Sequence, residues 1–214
     1  MTTIRIINDA QIAESDFNKI VKAVKYFVPK VTSAWGMASV NIEANGTPVA
    51  GDWLVYATES RRKVGAAGYH GVLNGSPVAY CSPKASGRLF GTYIKALTVK
   101  GKLIHKALFS PGLVSVICHE VAEMLCDPYI QTMSAKDPQG RNWLIEVCDH
   151  VFGSYEVFVS DGTNCVLPDV TTPAFYNLQA SGPYSIFNAL VAPFVMTPKG
   201  YAYWMDSTGK LQKV

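Results

Sequence analysis

Charge is scarce in this chain. Of its 214 residues 16% are Asp, Glu, Lys or Arg, against about 25% in ordinary soluble domains. Apolar residues make up 49%, which excludes a disordered chain and leaves enough material for a sizeable core. The net charge is +3, and the basic residues are scattered. The densest run, Arg61-Arg62-Lys63, reads as a solvated turn after a strand. A nucleic-acid surface needs clustered Lys and Arg, so no nucleic-acid partner is expected. No apolar run approaches the ~20 residues that cross a bilayer, so no membrane span is expected either. The opening Met1-Thr2-Thr3-Ile4-Arg5 lacks a signal-peptide pattern, which points away from secretion.

Cysteine chemistry is sparse in pattern if not in number. The five cysteines are Cys81, Cys118, Cys126, Cys148 and Cys165. The count is odd and no CxxC pair occurs, so neither a disulfide framework nor a cysteine zinc knuckle is indicated. Cys118, Cys126 and Cys148 crowd an acidic segment. They read first as small buried hydrophobes, with a disulfide or a soft metal ligand as the sharper alternatives. No Gly-rich phosphate loop is present, and Ser160-Asp161 belongs to no nucleophile motif.

What the chain does have is a strand–helix–strand order. Residues 3–7 alternate as a short strand. Asp16 can cap a helix over 17–28, whose Phe17, Ile20, Val21, Val24, Phe27 and Val28 recur at helical spacing before Pro29 ends or bends it. Residues 38–44 and 53–58 read as strands, and 68–81 as a hairpin around Asn74-Gly75. A weakly patterned excursion follows, with a short element near 93–99. Pro111-Gly112 opens a helix over Leu113–Cys126 that Pro128 stops. Residues 143–148 and 155–160 read as strands, and the rest as loops and short strands, including Gly200-Tyr201, packing back. The expectation is a single α+β domain over 1–214: sheet and backing helix in 1–112, a motif helix in 113–128, and a loop- and strand-rich part in 129–214.

The motif helix carries the chemistry. It is apolar nearly all round, as buried helices are, yet it holds His119, Glu120 and Glu123, with Asp127 at its end. Buried carboxylates must be paired, protonated or bound to a cation, because desolvation costs several kcal/mol each. His119 and Glu123 are four apart and share a face, and Asp127 lies four further on. The pattern is close to H-E-x-x-H, in which two histidines hold zinc and the Glu is general base. Here Glu123 stands in place of the second histidine. An oxygen-rich set of this kind suits zinc and also calcium, magnesium or manganese. A second acidic group, Glu146-Val147-Cys148-Asp149, could complete the coordination or anchor His119. Strand alternation would place Glu146 and Cys148 on one face and Asp149 at the strand end. His70, between Gly68 and Gly71, reads as a structural strand histidine whose small neighbours would let a substrate strand or the metal helix approach. His105 and His150 carry less context.

Gly68-Tyr69-His70, the run from Val114 through His119-Glu120-Val121-Ala122-Glu123 to Asp127-Pro128, Glu146-Val147-Cys148-Asp149, Val159-Ser160-Asp161 and Leu167-Pro168 resemble an uncharacterised phage and bacterial protein family with an H-E-x-x-E-x-x-x-D-P motif. That family resembles divergent zincins of the metzincin kind. The resemblance, over roughly 65–205, implies a mixed sheet backed by two main helices. It implies a metal-dependent, peptidase-like hydrolase. His119 and Glu123 would be ligands, with a third from Asp127, Glu146 or Asp149, and Glu120 would accept the proton of the attacking water. The cofactor would be a divalent metal, zinc first, calcium or manganese next, and the partner a peptide or protein substrate. Phage membership implies an alternative: a capsid, tail or baseplate component that keeps the core without catalysis, its partners being other virion proteins. The location would be host cytoplasm or virion.

Overall fold

The computed structural model describes the chain except residues 61, 62, 64, 95–97, 100, 101 and 104–107; side chains of 94–108 are likewise left undescribed. Arg61, Arg62, His105 and part of the short element expected near 93–99 therefore lie outside the described residues.

Five strands form one sheet: β1 (Thr3–Asn8), β2 (Asn41–Ala44), β3 (Trp53–Ala57), β4 (Gly68–Leu73) and β5 (Ser76–Cys81). Their order is β2-β1-β3-β5-β4. All neighbours run parallel except the edge strand β4, which is antiparallel to β5. The hairpin forms because Asn74 and Gly75 take φ of 51° and 81°, the two positive angles a two-residue turn needs. Between β1 and β2 runs α1 (Glu14–Ala34).

Helix α1 is longer than its sequence suggests. It starts at Glu14 rather than behind an Asp16 cap, and it runs through Pro29 to Ala34. A proline inside a helix forfeits one hydrogen bond. Here Val31 and Thr32 extend the buried stripe of Phe27 and Val28, so burial of the last turn offsets that loss.

One face of the sheet receives the helices. Register aligns Ile6, Val55, Ala79 and His70 across four strands, and paired residues point the same way. Ile6, Val55 and Ala79 belong to the hydrophobic core, so His70 faces that core from the edge strand. The opposite face carries Arg5, ion-paired to Asp52 and Glu43 at 2.7 Å each.

After α2 (Pro83–Ser86) come β6 (Thr92–Ile94), β7 (Thr98–Val99), β8 (Lys102–Leu103) and β9 (Leu108–Ser110). The motif helix α3 is Leu113–Cys126, as the sequence predicts, and packs on α1, β3, β4 and β5. Then follow β10 (Met133–Lys136), β11 (Asn142–Leu144), a 3-10 turn at Asp149–Val151, β12 (Tyr155–Ser160), β13 (Thr163–Pro168), a 3-10 turn at Pro173–Tyr176, β14 (Tyr203–Met205) and β15 (Leu211–Lys213). Strands β12 and β13 make a hairpin, and β10-β11-β14-β15 a second sheet. The architecture is α+β. No described helix is long and apolar enough to cross a membrane.

Candidate metal centre

Helix α3 lays Val116, His119, Glu120 and Glu123 along one stripe, at the i, i+3, i+4 and i+7 spacing of a helix face. Its other sides bury Val114, Ile117, Val121, Met124 and Leu125 in the core. The helix is thus fixed by apolar packing with its polar stripe turned toward β4 and the segment 145–149.

Three donors of the predicted set meet. His119 Nε2 lies 3.1 Å from Glu123 Oε1 and 3.3 Å from Asp149 Oδ1. Their side chains are 18%, 5% and 8% exposed. Cys148 joins the same group through its thiol, which sits 3.8 Å from the His119 carbonyl, while its backbone N–H donates to Glu123 Oε1 at 3.4 Å. A second group of potential ligands, His70, Glu123 and Glu146, shares Glu123 with the first. His70 Nδ1 stands 3.5 Å from Glu120 Oε2 and 3.6 Å from Glu123 Oε2. His70 Nε2 and Glu146 Oε2 are buried without a hydrogen-bond partner among the described residues.

The strand expected over 143–148 stops at Leu144. The chain turns there: Glu146 N–H donates to the Leu144 carbonyl and Asp149 N–H to that of Glu146. Residues three apart, Glu146 and Asp149, consequently both reach the α3 stripe, which strand alternation would have separated.

Asp127 does not join them. The helix ends at Cys126, and Asp127 takes φ −141° and ψ 72°, so the i+4 stripe is not continued. Its carboxylate instead accepts from the N–H groups of Gln131 and Thr132 and the Thr132 hydroxyl, at 2.9 to 3.0 Å. It caps the next turn, with both oxygens engaged there.

His70 meets the α3 stripe through its ring as well as facing the core. Gly68, two residues before it on the same strand face, lies so close to α3 that a Cβ there would meet Glu120 Oε1 and Val116 Cγ1 at 2.6 Å each. Gly71 has open space around it, so of the two glycines it is Gly68 that admits the helix. Tyr201 was not singled out by any spacing in the sequence. Burial and the neighbouring Asp149 carboxylate push its phenol up, and its backbone N–H donates to the Asp149 carbonyl at 3.1 Å. The preceding Gly200 permits this approach, since a Cβ there would lie 2.3 Å from the His150 carbonyl oxygen. His150 itself is a core residue: fully buried, 3.1 Å from the Tyr176 hydroxyl, and stacked on Trp143. Burial lowers its pKa to about 4. All five cysteines are free, four of them buried.

Burial governs the electrostatics. It pushes the Glu123 carboxyl up to about 7, with the Asp149 and Glu120 charges adding and His119 opposing. Burial and the Glu123 charge push Glu146 up to about 9. For His119, burial alone would lower the pKa; the Glu123 charge and the hydrogen bonds to Asp149 and Glu123 outweigh it and raise the value well above the ordinary one. Without a cation the cluster therefore holds protons to balance its charge.

A cleft of about 360 Å³ opens beside the cluster. His119, Glu120, Cys148 and Tyr201 line it beside Gly68, Ser115 and Tyr155. Donor spacings of 3.1 and 3.3 Å fit ligands that each lie ~2.0–2.2 Å from one small cation. One imidazole and two carboxylates suit zinc or manganese.

No protein family, curated protein or solved structure matches the chain.

Proposed function

We propose that the chain is a metal-dependent, peptidase-like hydrolase whose cation is held by His119, Glu123 and Asp149. The observation that carries this is the convergence of these three donors, from α3 and from a turn thirty residues on, with His119 itself on the lining of an open cleft. A bound cation would polarise a scissile carbonyl and acidify water there. Glu120 adjoins His119 on the cleft lining and is placed to accept a proton. Tyr201 holds the Asp149 backbone through its own N–H and sets its phenol near the Asp149 carboxylate. A peptide suits the site because β4 is the sheet's edge, and Gly68 of that strand lines the cleft. An extended chain laid along β4 would gain backbone hydrogen bonds. The zincin reading and the phage origin both rest on the motif resemblance, and the α+β arrangement accords with the first.

One observation favours the second reading, a virion component without catalysis. Glu120 is 5% exposed and turns Oε2 toward His70, as in a sealed polar network. The separating experiment is peptide-library cleavage by the zinc- or manganese-loaded protein, read by mass spectrometry. A hydrolase loses cleavage on chelation and in Glu120→Gln, with metal content and fold retained. Absence of cleavage by the loaded wild-type protein, together with a fixed copy number in purified particles, would establish the scaffold instead.

A further inference from the structure

We propose that the cluster holds a pair of divalent cations bridged by Glu123, the first between His119, Glu123 and Asp149, the second between His70, Glu123 and Glu146. This rests on the metal-site reading above and extends it.

The two carboxylate oxygens of Glu123 face different histidines. Oε1 lies 3.1 Å from His119 Nε2, and Oε2 lies 3.6 Å from His70 Nδ1. A carboxylate that offers one oxygen to each side is a bridging ligand, and bridged cations sit about 3.5–4 Å apart. Each side also has its own carboxylate: Asp149 beside His119, and Glu146 within ligand reach of His70 and Glu123.

A second observation points to a ligand on the His70 side. The His70 side chain is 5% exposed. Its Nε2 and the Glu146 Oε2 are buried without a partner among the described residues. Unmet buried polar atoms cost about 1–3 kcal/mol each. A cation at this position meets Glu146 Oε2, and it meets the His70 orphan where Nε2 rather than Nδ1 is the ring ligand.

Charge agrees. The cluster brings together the carboxyl groups of Glu120, Glu123, Glu146 and Asp149. With neutral histidines and ionised carboxylates, a single dication leaves net negative charge buried, and a pair neutralises it. The competing arrangement is one cation with His70 protonated between Glu120 and Glu123.

Metal counting decides between them. The full-length protein is stripped with chelator, equilibrated with Mn²⁺ and separately with Zn²⁺, and analysed by mass spectrometry for metal per chain. The Mn²⁺ form is also read by electron paramagnetic resonance. The expected result is two ions of Mn²⁺ or of Zn²⁺ per chain, with a spin-coupled Mn²⁺ spectrum if Mn²⁺ is the pair bound. Glu146→Gln and His70→Gln, each checked for fold by circular dichroism, should fall to one ion and lose the coupling. One ion per wild-type chain with both metals overturns the second site and leaves the His119 site standing. No ion with either metal overturns both. Two ions that survive in folded Glu146→Gln and His70→Gln place the second ion elsewhere and overturn the assignment.

Discussion

Asp149 Oδ1 lies 3.3 Å from His119 Nε2, although one residue starts a 3-10 turn and the other sits mid-helix in α3. The contact exists because β11 stops at Leu144 and the chain turns back under the helix. It closes a donor set that no helix spacing could supply.

Removing His119 should abolish cation-dependent stabilisation. At a hundredfold excess over Kd a bound cation adds about 2.7 kcal/mol to folding. Calorimetry with and without chelator should show this increment in the wild type and none in His119→Ala. An equal increment in the variant would mean the cation binds elsewhere.

The cation-free protein should lose stability as pH rises. The ordinary Glu value is 4.5, and burial raises Glu123 to about 7 and Glu146 to about 9. Their penalty is absent below about 4.5 and grows up to the folded values. His119, raised by Glu123 and Asp149 against the effect of burial, contributes stability below its ordinary value that is lost as pH passes its folded one. All three groups leave the native state holding more protons and lower stability as pH rises between about 4.5 and 9, while buried His150, lowered to about 4, works against them only below the ordinary His value of 6.5. Denaturant unfolding at pH 5.5 and 8.5 checks it; higher stability at pH 8.5 would contradict the burial of the cluster.

Gly68→Ala should be destabilising. The added Cβ would lie 2.6 Å from Glu120 Oε1 and Val116 Cγ1, and overpacking of this kind costs about 1–3 kcal/mol. Gly71→Ala, with open space around it, is the control. Equal urea midpoints for the two variants would show that α3 does not press on β4 at Gly68.

Tyr201→Phe should weaken cation binding while keeping the fold. It deletes the hydroxyl whose pKa burial and the neighbouring Asp149 carboxylate raise, and loss of an outer partner of a ligand lowers metal affinity about 10–100-fold. Competition with a chromophoric chelator measures this. Unchanged affinity would remove Tyr201 from the site.

Much of this was legible in the residues. Period and punctuation placed α3 to within a residue or two, because Gly112 and Pro128 bracket a largely apolar run. The i, i+4 spacing of His119 and Glu123 delivered their contact. The same rule misplaced Asp127, since the spacing assumes a helix that has already ended. Glu146 and Asp149 were visible as an acidic pair, but strand alternation gave the wrong geometry for a turn. Pro29 hid the last turn of α1, where tertiary burial overrides a local breaker. His70 required the register of β4 against β5, and Tyr201 the close approach that Gly200 allows. These are long-range facts that no local pattern encodes.

The most direct test of the metal site is anomalous scattering from crystals soaked in Zn²⁺, with data on both sides of the zinc edge. The account predicts a peak bounded by His119 Nε2, Glu123 Oε1 and Asp149 Oδ1. A zinc-soaked crystal with no peak among those three atoms would contradict it.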